Sequence, residues 1–213
     1  WTTSYGTIPS EIDADRSASI NQIMGAAMQQ YADKPALRSL GQTLSYADVN
    51  RLSTAFAAYL QNVVGVKKGD RVAVMLPNIF AFPIVFIAIT KIGAIQVNVN
   101  PLYTPRELEH QLNDAGCQVM VVYNGSSPTL AEIIGKTGVK TVITAGLGDG
   151  CSAAIPSPAV DSRLGATVTL PAAIEQGITL TLTPTQVDGN DLLFLQYTGG
   201  TTGLSKRSEE HTS

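Results

Sequence analysis

Two periodicities alternate along most of this chain. Short, nearly continuous apolar runs suit strands buried on both faces, and stretches with apolar residues three and four positions apart suit helices packed on one side. The spacing predicts a first helix over Asp15–Asp33, with Ile20, Ile23, Met24 and Ala27 on one face. The apolar piece Leu37–Leu40 and a turn at Gly41-Gln42 predict two short strands. A second helix follows Ser45, with Asp48 three residues on as a capping box and Leu52, Phe56, Tyr59 and Leu60 as its inner face.

Past a turn at Lys68-Gly69-Asp70 the pattern becomes regular. Arg71–Leu76 reads as a strand closed by Pro77-Asn78, Phe82–Ile92 as a helix stopped by Gly93, and Ala94–Val99 as the next strand. Strand, helix and strand within about thirty residues form a parallel βαβ unit. The unit recurs in kind. Thr104 is an N-cap, Pro105 takes the first helical position and Glu107 completes a capping box. Leu108 and Leu112 face inward, and Gly116 closes the helix. Cys117–Tyr123 is then a strand, Asn124-Gly125 a turn, Pro128 the start of a helix ending near Gly135, and Val139–Thr144 another strand. Ala145–Leu170 is punctuated by Gly146, Gly148, Gly150, Pro156, Pro158 and Gly165, and reads as a surface excursion. Alternation over Ile178–Leu182 predicts a strand, and Asp191–Gln196 a final buried one. The fold class is therefore α/β, a mostly parallel sheet with flanking helices.

Composition narrows the function classes. The 213 residues are 44% hydrophobic and 15% charged, which excludes a disordered or collagen-like chain. A net charge of −3 without basic runs argues against nucleic acid as a partner. Two cysteines exclude a disulfide-dense scaffold and a four-cysteine metal site; Cys117 reads as a buried inert thiol and Cys151 as an exposed loop thiol. With His110 on a solvated helix face and His211 near the end, a serine–histidine–aspartate triad and a histidine zinc site lack their residues. Arg106, Glu107 and Glu109 read as a solvated face, and Asn98 and Asn100 as turn-satisfying groups at a strand end. Residues 1–15 have neither the basic start nor the apolar block of a signal peptide. The longest uninterrupted apolar run in the chain's most apolar stretch, Ile84–Ile89, is far short of the roughly 20 residues a spanning helix needs. Cytoplasmic location is the resulting expectation.

One stretch carries chemistry. Tyr197-Thr198-Gly199-Gly200-Thr201-Thr202-Gly203-Leu204-Ser205-Lys206 follows the last buried strand directly. Three glycines permit close backbone approach, three threonines supply hydroxyls, and Lys206 supplies a mobile cation, which together suit a polyphosphate. The spacing is neither that of a Walker A loop nor a Gly-x-Gly-x-x-Gly fingerprint. From the residues alone the loop is a phosphate binder of another kind or a flexible turn.

The run Tyr-Thr-Gly-Gly-Thr-Thr-Gly-x-x-Lys resembles the phosphate-binding signature of the adenylate-forming superfamily of acyl-CoA synthetases, luciferases and peptide-synthetase adenylation domains. Lys67–Ala73 with Leu76-Pro77-Asn78, the segment Val97–Leu112, and Asp191–Gly203 are similar to bacterial long-chain fatty-acid–CoA ligases in particular, as are Tyr31–Ala36 and Ala55–Leu60. The likeness covers residues 1–206 apart from the Ala145–Leu170 excursion. It implies the front part of a large multilayered adenylation domain ending at the phosphate loop, with ATP, coenzyme A and a fatty acid as substrates and magnesium as cofactor. Tyr197, Thr198, Gly199, Gly200, Thr201, Thr202, Gly203 and Lys206 would grip the nucleotide, Lys206 as the catalytic cation and Thr198 as the magnesium contact. A homodimer and transient contact with the inner membrane face are further expectations of the likeness. The acidic magnesium residue, the ribose-binding aspartate and the C-terminal-domain lysine of the family have no counterpart in these residues, so the chain alone is expected to be inactive. Other acyl- or aryl-CoA ligases, acyl-AMP ligases and a short non-catalytic binding paralogue stay open as alternatives. Residues 207–213, hydrophilic and patternless, are expected to be non-native, because one possible coding sequence for them, AGA TCG GAA GAG CAC ACG TCT, reads as a common sequencing adapter.

Overall fold

In the computed structural model, residues 4, 6–7, 11, 19–151, 154–198 and 206–211 are described. An antiparallel pair, β1 (Pro35–Ser39) and β2 (Gln42–Ser45), stands apart from a seven-stranded sheet. That sheet contains β3 (Arg71–Met75), β4 (Ile95–Asn98), β5 (Val119–Tyr123), β6 (Thr141–Ala145), β7 (Val168–Thr169), β8 (Leu192–Thr198) and β9 (Lys206–His211). Their order is β7-β6-β5-β3-β4-β8-β9, parallel throughout except for the antiparallel β8–β9 pair. The α/β fold class expected from the sequence is the one observed.

Helices cover both faces, as parallel strands require. On one side lie α1 (Ile20–Gln30), α2 (Tyr46–Tyr59), α3 (Ala81–Lys91) and, further along the chain, α6 (Leu170–Ile178). Their Met28, Phe56, Ile84, Ile89 and Ile174 pack on Val72, Val74, Val121 and Ile143. On the other side lie α4 (Pro105–Ala115) and α5 (Ser127–Ala131), whose Leu108, Leu112 and Leu130 pack on Met75, Val97, Met120 and Leu195. Alternate residues of β3, β5 and β6 thus enter alternate cores, which fixes the register. Each fully buried leucine contributes roughly 1.5–3 kcal/mol of transfer free energy.

Local chemistry sets the helix starts. Ser45 Oγ accepts from the Asp48 amide at 3.1 Å while the Asp48 carboxylate accepts from the Ser45 amide at 3.1 Å. Thr104 and Glu107 form the same reciprocal pair, and Pro105 follows the cap. Both boxes are readable from sequence because all their members are within three residues.

Three expectations are corrected. In α1 the buried anchor is Met28, and Ile23 is half-exposed. The turn between β1 and β2 is Leu40-Gly41, both at positive φ (49° and 73°), rather than Gly41-Gln42. This is the conformation a two-residue hairpin loop favours because its twist matches the strands. Third, Ile178–Leu182 is not a strand. Ile178 ends α6, a helix that Thr169 caps by accepting from the Ala172 amide and that carries Pro171 in its first turn. Gly177 permits its close approach to α2, since a Cβ there would run into the Ala55 carbonyl. Beyond α6 the backbone finds side-chain partners in place of a strand ladder. Asn62 Nδ2 donates to the Thr181 carbonyl at 3.1 Å, and the Gln61 amide group brackets the Thr183 backbone at 3.1 and 2.8 Å.

Candidate functional site

All six parallel strands end on one edge, and the chain leaves β3 for β4 on one side of it and then returns to β5 on the other. Open α/β sheets bind ligands outside the carboxyl ends of their strands, where the strand order reverses. The β4–β8 end of this edge carries the glycine-threonine loop.

The strand leading to it is held at its start, its middle and its end. Before β8, Asp188 and Asp191 close a turn in which each carboxylate accepts a backbone amide at 2.9 Å. Lys68 Nζ lies 2.7 Å from Asp191, and its hydrogen bond holds that carboxyl below the usual range. Along β8, Leu193, Leu195 and Tyr197 are buried. The Tyr197 hydroxyl donates to Asp114 on α4. On the opposite face an amide ladder crosses the strands: Gln96 Nε2 donates to Asn98 Oδ1, and Asn98 Nδ2 donates to Gln196 Oε1 at 2.9 Å. Gln111 Nε2 of α4 donates to the Asn98 carbonyl at 2.7 Å, tying the end of β4 to that helix. Asn100 Oδ1 accepts from the Leu102 amide at 3.0 Å, as its place at a strand end suggested.

Of the residues singled out in the sequence, Tyr197 and Thr198 form the last two positions of β8, Tyr197 buried and Thr198 exposed. Lys206, described in its backbone alone, opens β9 opposite Thr198. The β8–β9 register therefore brings the two ends of the loop side by side. Gly199, Gly200, Thr201, Thr202 and Gly203 lie outside the described residues. Sequence reasoning missed Gln96, Gln111, Gln196 and Asp114, which brace this strand end. Their signal was available in part, as Gln96 and Gln196 are polar residues inside largely apolar strands.

The remaining chemistry-bearing side chains are accounted for elsewhere. Cys117 is buried, and desolvation pushes its thiol up to about 12 against the opposing effect of Arg71, so it is inert. Cys151 is half-buried rather than exposed, with Sγ donating to the Gly148 carbonyl at 3.0 Å. His110 is half-buried on α4. Among the described residues no group of three or more His, Cys, Asp or Glu converges to hold a metal ion. Nor is any helix among them long and apolar enough to cross a membrane.

Fold and loop position define a class: an α/β protein with a glycine- and threonine-rich loop following a strand at the carboxyl edge of a parallel sheet. Comparison with known proteins narrows it. The family model described as AMP-binding enzyme matches residues 25–207. The chain belongs to the AMP-binding enzyme family. It is 39% identical over 218 residues to a long-chain-fatty-acid–CoA ligase of Salmonella typhimurium, covering 97% of this chain and 39% of the relative. With a long-chain-fatty-acid–CoA ligase of Yersinia pestis the identity is 41% at the same coverage. The chain thus spans about two-fifths of the length of these relatives. Among solved structures, the anthranilate CoA ligase AuaEII in complex with anthranoyl-AMP superposes at a TM-score of 0.79 with 21% identity, over 95% of this chain and 36% of that one. A long-chain-fatty-acid–CoA ligase of Archaeoglobus fulgidus superposes at 0.72 with 23% identity, over 92% and 37%. These two show the shared fold.

Proposed function

We propose that this chain is the amino-terminal portion of an AMP-forming long-chain fatty-acid–CoA ligase, with residues 197–206 as its nucleotide-phosphate loop. The observation that carries the reading is the loop's suspension between the braced end of β8 and the Thr198–Lys206 register pair, in a chain 39–41% identical to such ligases. In the first step a fatty-acid carboxylate oxygen attacks the α-phosphorus of ATP. The bond to the β-phosphate breaks, and pyrophosphate leaves with its electron pair. In the second step the coenzyme A thiolate attacks the acyl carbon and AMP leaves. The chain's own part is positioning and charge. Backbone amides of Gly199, Gly200 and Gly203 with the hydroxyls of Thr201 and Thr202 cradle the β- and γ-phosphates, Tyr197 anchors the strand end, and Lys206 offsets charge growing on the leaving group.

Magnesium, when bound, neutralises phosphate charge in such transfers. The exposed Thr198 hydroxyl is a hard oxygen suited to it. No acidic cluster accompanies it among the described residues.

A second reading, an aryl- or other acyl-CoA ligase, is favoured by one comparison: 4-coumarate–CoA ligase 5 of Oryza sativa is 33% identical over 166 residues. Residues 1–206 form the native adenylation-domain portion in either case, and 207–213 are foreign. The pairing of 207–211 with β8 is a backbone ladder, the kind of bond most sequences can supply, beside one side-chain contact of His211 Nδ1 with the Asn190 carbonyl at 3.0 Å. Downstream genomic sequence tests this: adapter sequence replaced by an open frame running on supports it, and the same seven codons in the genome overturn it. ATP–pyrophosphate exchange tests the activity. The gene's full-length product should exchange with long-chain fatty acids, while the 213-residue chain alone should not. Preference for an aryl acid would select the second reading, and absence of exchange from the full-length product would overturn both.

A further inference from the structure

A second cavity opens on the same carboxyl edge, at the other end of the sheet. It has a volume of about 260 Å³ and lies beyond β5, β6 and β7, walled by Asn124, Thr144, Asp149, Ser157, Ile155 and Pro171. That is smaller than the roughly 300–1,000 Å³ of pockets for drug-sized ligands. Two of its walls are unfinished. Thr144 is 1% exposed, yet among the described residues its hydroxyl has no hydrogen-bond partner, and neither does the buried Oδ1 of Asn124. Parallel register sets them together, since Tyr123 pairs with Ala145 and Val122 with Thr144. An unmet buried polar atom costs about 1–3 kcal/mol, so two on residues lining one cavity call for an occupant with hydrogens to donate.

The third wall supplies charge. Asp149 Oδ2 accepts from the Gly146 amide at 2.8 Å, and Ser157 Oγ accepts from the Leu147 amide at 2.6 Å, which leaves the serine hydrogen free. Gly146 lets these two side chains meet. A Cβ there would lie 2.8 Å from Ser157 Oγ and 3.4 Å from Asp149 Oδ1. No cationic side chain lines the cavity. Burial accordingly raises the Asp149 pKa above the ordinary carboxyl value, the sign of a carboxylate without a cation beside it.

We propose that this cavity binds a small primary amine, its ammonium seated between Asn124, Thr144 and Asp149 and its short alkyl part against Ile155 and Pro171. A single carboxylate matches a single positive charge. Oxygen acceptors around it match the three N–H donors of an ammonium, and the two apolar walls match a few methylenes and no more. The site is distinct from the nucleotide loop, being separated from it on the same edge by β3 and β4.

Titration of the isotope-labelled 213-residue chain with n-propylammonium chloride, read by amide NMR, tests the proposal. Saturable shifts should cluster at Asn124, Thr144, Gly146, Asp149 and Ser157. Asp149→Asn should weaken binding about tenfold or more, the effect of losing a charge-assisted hydrogen bond. Thr144→Val should weaken it less, and Thr144→Ser should retain it. Well-dispersed spectra of the variants confirm that they fold. Three results would overturn the proposal: no saturation, equal shifts with potassium chloride at the same ionic strength, or unchanged affinity in both Asp149→Asn and Thr144→Val.

Discussion

The inner strands and β8 make different use of the same sheet. β3 and β5 are buried on both faces, and their residues serve one core or the other. β8 is buried on one face only. Its other face presents Phe194, Gln196 and Thr198, half-exposed or exposed, and holds position through amide bonds. The inner strands illustrate how apolar burial makes a scaffold. β8 illustrates how a chemically loaded loop is hung from it: one buried row and one bracing tyrosine hold the strand, and the other row remains open toward solvent.

The sharpest break of this comparison is a matched pair of truncations. Met120→Ala on β5 should cost about 2–5 kcal/mol in urea unfolding, as buried large-to-small changes do, while Phe194→Ala on β8 should cost well under half of that. Equal losses would erase the distinction. Next in size is Gly177→Ala, which should cost about 1–3 kcal/mol by forcing α6 away from α2 over the inner half. On β8, Tyr197→Phe removes only the bond to Asp114 and should cost about 1 kcal/mol.

A pH-dependent effect concerns Lys91, whose ammonium sits between α3 and α2 among neutral oxygens: Asn50 Oδ1 at 2.7 Å, Ser53 Oγ at 3.0 Å and Thr54 Oγ1 at 2.6 Å. Desolvation lowers its pKa to about 8 from an ordinary value of 10.5. Between those values the unfolded chain binds the extra proton, so this residue's contribution to stability rises with pH through that window. Stability curves of the wild type and Lys91→Met should therefore diverge in favour of the wild type as pH climbs from 8 toward 10.5. Parallel curves would contradict the assignment.

The same contrast explains what the sequence made legible. Inner strands are continuous apolar runs, and the capping boxes at Ser45 and Thr104 are complete within four residues, so both could be read directly. Helix α6 could not. Its inner face is Leu170, Ala173, Ile174 and Gly177, packed close to the distant Ala55 carbonyl, and the Gln61 and Asn62 side chains fix the segment that follows it. The brace of β8 is likewise non-local: Asn98 and Gln196 are 98 positions apart, and Asp114 and Tyr197 are 83 apart. The chemistry of the loop from Tyr197 to Lys206 was legible as composition, while its suspension between β8 and β9 needed the strand register.

Calorimetric titration of the chain with tripolyphosphate tests the central claim most directly, because that probe needs the loop but neither an adenine nor an acyl pocket. Saturable binding that Lys206→Ala weakens about tenfold or more, and that Arg163→Ala leaves unchanged, is the predicted result. Absence of binding, or equal weakening by both substitutions, would contradict it.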